Sequence, residues 1–131
     1  MIGLDTNVVV RYLTQDDPVQ AARATEAIED AAERGDRLFL TDIVLCELVW
    51  VLESAYRYKR AQVADVVERV LRTTQFDFDH KDQLWQAWQD YRTGKGDFSD
   101  YLIGRLGHAA GCGETLTFDR ALEGSPLFSL L

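Results

Sequence analysis

Arg37-Leu38-Phe39-Leu40-Thr41-Asp42-Ile43-Val44-Leu45-Cys46-Glu47-Leu48-Val49-Trp50-Val51-Leu52 carries the pattern on which the fold turns. A short apolar run, Arg37 to Leu40, reads as a strand. Thr41 or Asp42 then offers a capping oxygen, and apolar residues recur at Leu45, Leu48, Leu52 and Ala55. Thr and Asp suit a helix N-cap because their side-chain oxygens satisfy backbone N–H groups that the first turn leaves without partners. Spacings of three and four put apolar side chains on one helical face. The stretch is therefore strand, cap, helix, with one acid, Glu47, inside the apolar helical segment.

The same order recurs on both sides. Ile2 to Leu4 reads as a strand ending in Asp5-Thr6-Asn7, followed by a helix over Val8 to Leu13. Asp16-Asp17-Pro18 opens a second helix, since Pro is tolerated in a first turn, and this helix runs to about Arg34, where Gly35 stops it. Downstream, Val63, Val66, Val67, Val70 and Leu71 make a helical stripe, and Phe76-Asp77-Phe78-Asp79 alternates like a strand. A helix carrying Leu84, Trp88 and Tyr91 precedes a Gly94-Lys95-Gly96 loop. Phe98 to about Cys112 reads as a helix with Leu102, Ile103, Leu106 and Ala110 toward the core. Glu114 to Phe118 is the last internal strand, ending in Asp119, and Leu127 to Leu131 adds an edge strand. Short strands alternating with helices imply parallel pairing and an α/β fold. Sheets of that kind place ligands at the carboxyl ends of their strands. Asp5 and Asp119 each fall just past a predicted strand.

The chain has 131 residues, which fits one domain spanning 1–131. Its two cysteines, Cys46 and Cys112, are too few for a disulfide scaffold and read as small buried thiols. The N-terminus lacks the basic and apolar regions of a signal peptide, and the most apolar stretch, Ile43 to Leu52, is interrupted by Glu47 and too short to span a bilayer. A soluble, cytoplasmic protein with no membrane contact is expected. The net charge of −8 argues against a generic nucleic-acid binder, which needs clustered Lys and Arg. Acids gathered where cations cancel them would remove that objection.

Asp5, Glu47, the pair Asp97 and Asp100, and Asp119 are the acids that could carry chemistry. Each has an ordinary reading: Asp5 as a cap, Glu47 as a residue at the edge of the stripe, Asp97 and Asp100 as a capping arrangement, Asp119 as a turn acid. Together they are less ordinary, because carboxylates converging on strand ends and helix starts repel one another without a cation. Oxygen ligands with no Cys or His cluster suit Mg²⁺ or Mn²⁺ rather than Zn²⁺. Two such ions, roughly 4 Å apart, are a standard arrangement for phosphodiester cleavage. Rival motifs are absent: His80 and His108 are isolated, and there is no nucleophile elbow or phosphate loop. Trp50, Trp85 and Trp88 read as core aromatics or as stacking surfaces. Tyr56, Arg57, Tyr58, Lys59 and Arg60 form a basic and aromatic patch that could meet RNA or simply be a solvated helix end.

At this point the residues resemble a family. Met1-Ile2-Gly3-Leu4-Asp5-Thr6-Asn7 resembles the opening of VapC-type PIN-domain proteins. Thr41 to Leu52, Asp97-Phe98-Ser99-Asp100-Tyr101-Leu102-Ile103 and Thr117-Phe118-Asp119 resemble their second, third and fourth motifs, in the right order. The resemblance implies a PIN-like three-layer α/β/α sandwich around a central, mainly parallel sheet. It implies a Mg²⁺- or Mn²⁺-dependent endoribonuclease acting on RNA, a VapB-like antitoxin that blocks the site, and a homodimer. Carried over by position, Asp5, Glu47 and Asp100 would be the core metal-binding acids and Asp119 would complete the quartet. Asp97 falls inside the third motif too; Asp100 is preferred because it precedes Leu102-Ile103 as the family's acid does. Thr6, Asn7 and Thr117 would support the site through hydrogen bonds. Two other classes stay open on the residues alone. One is a non-catalytic interaction module. The other is a magnesium-dependent phosphatase or receiver-like domain, although Asp5-Thr6-Asn7 lacks the second Asp two residues on that a haloacid-dehalogenase-like phosphatase shows.

Overall fold

Asp17 shows how closely local chemistry sets the elements: its side chain accepts a hydrogen bond from the Gln20 backbone at 3.0 Å, and Pro18 fills the first helical position. In the computed structural model, which describes residues 1–131, the chain runs β1 (Ile2–Gly3), α1 (Thr6–Thr14), α2 (Pro18–Glu33), β2 (Leu38–Leu40), α3 (Asp42–Ser54) and α4 (Arg60–Arg72). It continues through β3 (Phe76–Phe78), α5 (Lys81–Thr93), α6 (Phe98–Ala109), β4 (Thr115–Thr117), a 3₁₀ turn (Arg120–Leu122) and β5 (Phe128–Leu130). Thr41 is the cap of α3, accepting from the Val44 N–H at 3.3 Å.

β2 lies between β1 and β3, and all three are parallel, with Ile2 opposite Leu38 and Leu38 opposite Phe76. Parallel neighbours need helical crossovers, which α1–α2 and α3–α4 supply. β4 and β5 form a second parallel pair. The fold is α/β, as the alternation of elements predicts. A core of 25 residues joins the layers, with Leu45, Leu48, Leu52, Val63, Val67, Leu71, Leu84 and Tyr91 fully buried. These are largely the stripe positions read from the sequence.

The exceptions have physical causes. α6 ends at Ala109 rather than near Cys112, and its core face is Phe98, Tyr101, Leu102 and Gly104. Gly104 lets the ring of Phe128 come so close that a Cβ would sit 2.7 Å from it. That face turns Ile103 (56% exposed) and Ala110 toward solvent, contrary to expectation. Ala55 is likewise exposed, as the C-cap of α3. β4 is three residues long and leaves Phe118 outside it and exposed. Cys46 is half-buried, but Cys112 is exposed just past α6, so the buried-thiol expectation fails there.

Polar ties fix the helices. Arg105 forks onto Asp90 at 2.7 and 2.8 Å, joining α6 to α5. Trp85 and Trp88 pack edge to face at 5.3 Å, and the Trp88 indole donates to the Ala64 carbonyl at 2.7 Å, so both serve packing. His80, ahead of α5, bonds Asp42 at the start of α3 at 2.7 Å. This hydrogen bond is the main cause that raises the His80 pKa above 6.5, outweighing burial, with smaller help from the charges of Asp42 and Asp79. A group whose folded pKa is raised stabilises the fold fully below its unfolded pKa and loses that contribution as pH rises through the folded value. Urea midpoints of His80→Gln and the parent should therefore differ most near pH 6 and converge at alkaline pH. A gap independent of pH would show that the tie is not ionic.

Candidate functional site

β1 ends at Gly3 and α1 begins at Thr6, so Asp5 occupies the junction. Its backbone is extended (φ −78°, ψ 156°), and Oδ1 accepts the Thr6 N–H at 2.8 Å. Asp5 is thus a helix cap that keeps its second oxygen free of protein donors. Thr6 is buried, and its hydroxyl donates to Glu47 Oε1 at 2.8 Å. That bond couples the end of β1 to α3. Glu47 itself is exposed, flanked by buried Leu45 and Leu48, so it lies at the edge of the apolar stripe rather than within it.

The second group of acids surrounds the start of α6. Asp97 stands at the N-cap, yet its side chain makes no capping hydrogen bond. Asp100 follows in the first turn, half-buried. The capping reading of this pair is therefore not realised, and neither carboxylate has a protein donor. Burial pushes the Asp100 carboxyl above the usual range, and the negative charges of Asp97 and Asp119 push it further. Asp100 thus carries the repulsion of two acidic neighbours without a protein hydrogen-bond donor of its own. Asp119 caps the 3₁₀ turn, accepting from the Ala121 N–H at 2.9 Å, and its own N–H donates to the Thr117 hydroxyl at 3.0 Å.

The predicted residues thus fall into two sets: Asp5, Thr6 and Glu47 linked by hydrogen bonds, and Asp97, Asp100 and Asp119 linked by charge, with Thr117 behind Asp119. Asn7 makes no side-chain hydrogen bond to either set. It is exposed and borders a shallow cleft with Arg11, Gln20 and Arg23 between α1 and α2. No three His, Cys, Asp or Glu side chains are gathered tightly enough to form a ready-made metal shell. The oxygen-only donors nevertheless suit a hard cation, and the repulsion at Asp100 is of the kind that a cation relieves. Cys46 does not compete as a ligand or nucleophile. Burial, then the charges of Asp42 and Glu47, raise its thiol to about 11, which keeps it protonated.

One set of positioning residues escapes sequence reading. The Arg60 guanidinium donates to the carbonyls of Tyr91 and Gly96, both at 2.9 Å, and stacks 4.3 Å above the Tyr91 ring. The Tyr91 hydroxyl donates to Glu53 at 2.8 Å, and the Gly96 N–H donates to the Tyr101 hydroxyl at 3.1 Å. Burial and Glu53 together raise the Tyr91 pKa, so the phenol stays a donor. These contacts fix the backbone immediately ahead of Asp97. The available signal is the Gly94-Lys95-Gly96 spacing: a Cβ on Gly96 would lie 2.5 Å from Leu122 and 3.1 Å from the Tyr101 ring. Arg60 is therefore not part of a solvated patch. Nor is Tyr56, whose hydroxyl donates to Asp16 at 2.7 Å and is the main cause holding that carboxyl down to about 2. Arg57 and Lys59 remain exposed.

The family described as PIN domain matches residues 2–124 of the chain. The chain is also similar to a protein named VapC ribonuclease from Aquifex aeolicus (strain VF5). The two are 28% identical over 120 residues, which cover 92% of this chain and 88% of that protein.

Proposed function

Because the chain belongs to the PIN-domain family, we propose that it is a metal-dependent endoribonuclease of the VapC type, the toxin of a toxin–antitoxin pair. The observation that carries this reading is the group at α6: Asp97 and Asp100 lack protein donors, and Asp100 is strained by burial and by its acidic neighbours. Asp5, Glu47, Asp100 and Asp119, with Asp97, are the residues that would hold Mg²⁺ or Mn²⁺. Asp100 is preferred over Asp97 because it is the more enclosed of the two. When bound, such a cation supplies Lewis-acid activation of water and neutralises charge on the phosphate. The protein's own part is positional. Thr6 holds one oxygen of Glu47 at 2.8 Å and leaves the other for a ligand or a water. Thr117 fixes the backbone at Asp119. Holding catalytic groups in place in this way is worth several kcal/mol of barrier in well-ordered sites.

An antitoxin of the VapB kind fits the face around Glu47. Ile43 (70% exposed) and Trp50 (68%) stand on α3 one turn to either side of it, so one apolar segment could cover both and shield the acids. A homodimer goes with the same reading, and exposed Ile103, Leu116 and Phe118 offer apolar surface for a second copy. No helix is long and apolar enough to cross a membrane; we place the protein in the cytoplasm.

A circular single-stranded RNA tests the endonuclease directly, because it has no ends for an exonuclease. Purified protein with Mn²⁺ should linearise the circle and then yield discrete fragments, and EDTA should stop both. Intact circles in Mn²⁺ would overturn the proposal.

A further inference from the structure

A cleft of about 470 Å³ opens where the end of α5, the start of α6 and the 3₁₀ turn meet, lined by Thr93, Lys95, Tyr101, Arg120, Glu123 and Ser125 among others. Its walls are continuous in sequence with the acids: Lys95 precedes Asp97 by two residues, Tyr101 follows Asp100, and Arg120 follows Asp119. We propose that this cleft is a phosphate subsite, in which Lys95 and Arg120 hold the backbone phosphate of an RNA nucleotide beside the bond being cut.

The charges support it. Five of the fourteen Lys and Arg residues, Arg11, Arg34, Arg37, Arg72 and Arg105, are spent in ion pairs. Several others, among them Arg23, Arg69 and Lys81, are not, so what distinguishes Lys95 and Arg120 is the cleft they share beside the α6 segment. Lys95 and Arg120 make neither an ion pair nor a side-chain hydrogen bond with the protein, and both line the same cleft. Asp90 in its wall is already neutralised by the Arg105 fork, which leaves Glu123 as the one unpaired acid there. A chain of net charge −8 that must bring a polyanion up to a group of carboxylates needs local positive charge beside them. A guanidinium and an ammonium supply it, the first as a planar fork matched to phosphate oxygens.

The subsite is also built on a fixed frame. The Gly94 N–H donates to the Asp90 carbonyl at 2.8 Å, the Gly96 N–H to the Tyr101 hydroxyl at 3.1 Å, and the Gly96 carbonyl accepts from Arg60 at 2.9 Å. The Lys95 backbone is held on both flanks while its side chain is free. Only three of the eleven lining residues are hydrophobic, so polar partners for a phosphate are at hand.

The inference rests on the ribonuclease reading, and its test separates the two. Fluorescence anisotropy of a labelled short single-stranded RNA is measured with Mg²⁺ in an Asp5→Asn background, with and without the added pair Lys95→Gln and Arg120→Gln. Arg69→Gln with Lys81→Gln is the control, being exposed cations elsewhere. The pair should weaken binding about tenfold and flatten the salt dependence by about 1.4 in slope, two contacts at ~0.7 each for single strands. In the otherwise wild-type protein with Mn²⁺ it should raise KM with little change in kcat. The control should do neither. Unchanged affinity, slope and KM in a protein that still cleaves would overturn the subsite and leave the ribonuclease standing. Weakened binding by the pair in a protein that never cleaves would uphold Lys95 and Arg120 as an RNA-phosphate site and sink the ribonuclease, and with it the place of that site beside a bond being cut. Binding of a polyglutamate peptide through the same pair, with none of RNA, would overturn the subsite in favour of an acidic protein segment.

Discussion

Asp100→Asn should leave a folded protein at least as stable as the parent, yet lower RNA cleavage by about two to three orders of magnitude. The two effects share one cause. Asp100 is partly desolvated and faces Asp97 and Asp119, so its charge opposes folding while it prepares the site for a cation. Asn keeps the shape and removes the charge. Because much of the side chain is still in solvent, the stability gain should not exceed about 1 kcal/mol. Mn²⁺ should raise the parent's Tm, since a cation at 100 times its Kd adds about 2.7 kcal/mol to folding stability. The variant should lose most of that rise. A markedly destabilised Asn variant would mean that Asp100 holds the fold together, and a fully active one would remove it from the site.

Arg60→Met should cost about 2–4 kcal/mol of stability and lower cleavage as well. Met keeps the apolar length of the side chain but strips two carbonyls of a charged donor and removes the guanidinium from the Tyr91 ring. Hydrogen bonds to charged groups contribute about 1.5–3 kcal/mol each, and the cation–π contact about 1 more, with part recovered by water. The activity loss follows from the place of these carbonyls: Gly96 directly precedes Asp97, so a loosened loop misplaces both α6 acids. Arg60→Lys should recover part of the loss, because one nitrogen serves both carbonyls and an ammonium can do the same, whereas the planar cation stacked on the Tyr91 ring is gone. Urea midpoints and cleavage rates of both variants check this. A Met variant with parental stability would show that the contacts are incidental, and one that is destabilised yet fully active would show that the loop does not position the acids.

Much of the fold was legible because its signals are local. The Thr41 cap, the Asp17-Pro18 start and the stripes through Leu45, Leu48 and Leu52 each rest on residues within a turn or two of one another. Ile103 was misread because its spacing fits the α6 stripe equally well. Packing against α5 and the approach of Phe128 to Gly104, both tertiary events, settle which side of the helix faces inward. The acids were legible as residue types at strand ends and helix starts, but not as two sets with different internal ties. The Thr6–Glu47 hydrogen bond spans 41 positions, and nothing in either segment announces it. Arg60 was hidden for the same reason: in sequence it is one more cation beside Arg57 and Lys59, and its carbonyl partners lie 31 and 36 residues away. Lys95 and Arg120 attract no notice until folding brings both to one cleft.

The most direct test of the central claim is to offer the circular single-stranded RNA to the parent and to Asp5→Asn side by side, in Mn²⁺ and in EDTA, with circular dichroism to confirm that both are folded. The account predicts linear product and discrete fragments in one lane alone, the parent with Mn²⁺. Equal cleavage by a folded Asp5→Asn protein, or cleavage by the parent that EDTA leaves untouched, would contradict it.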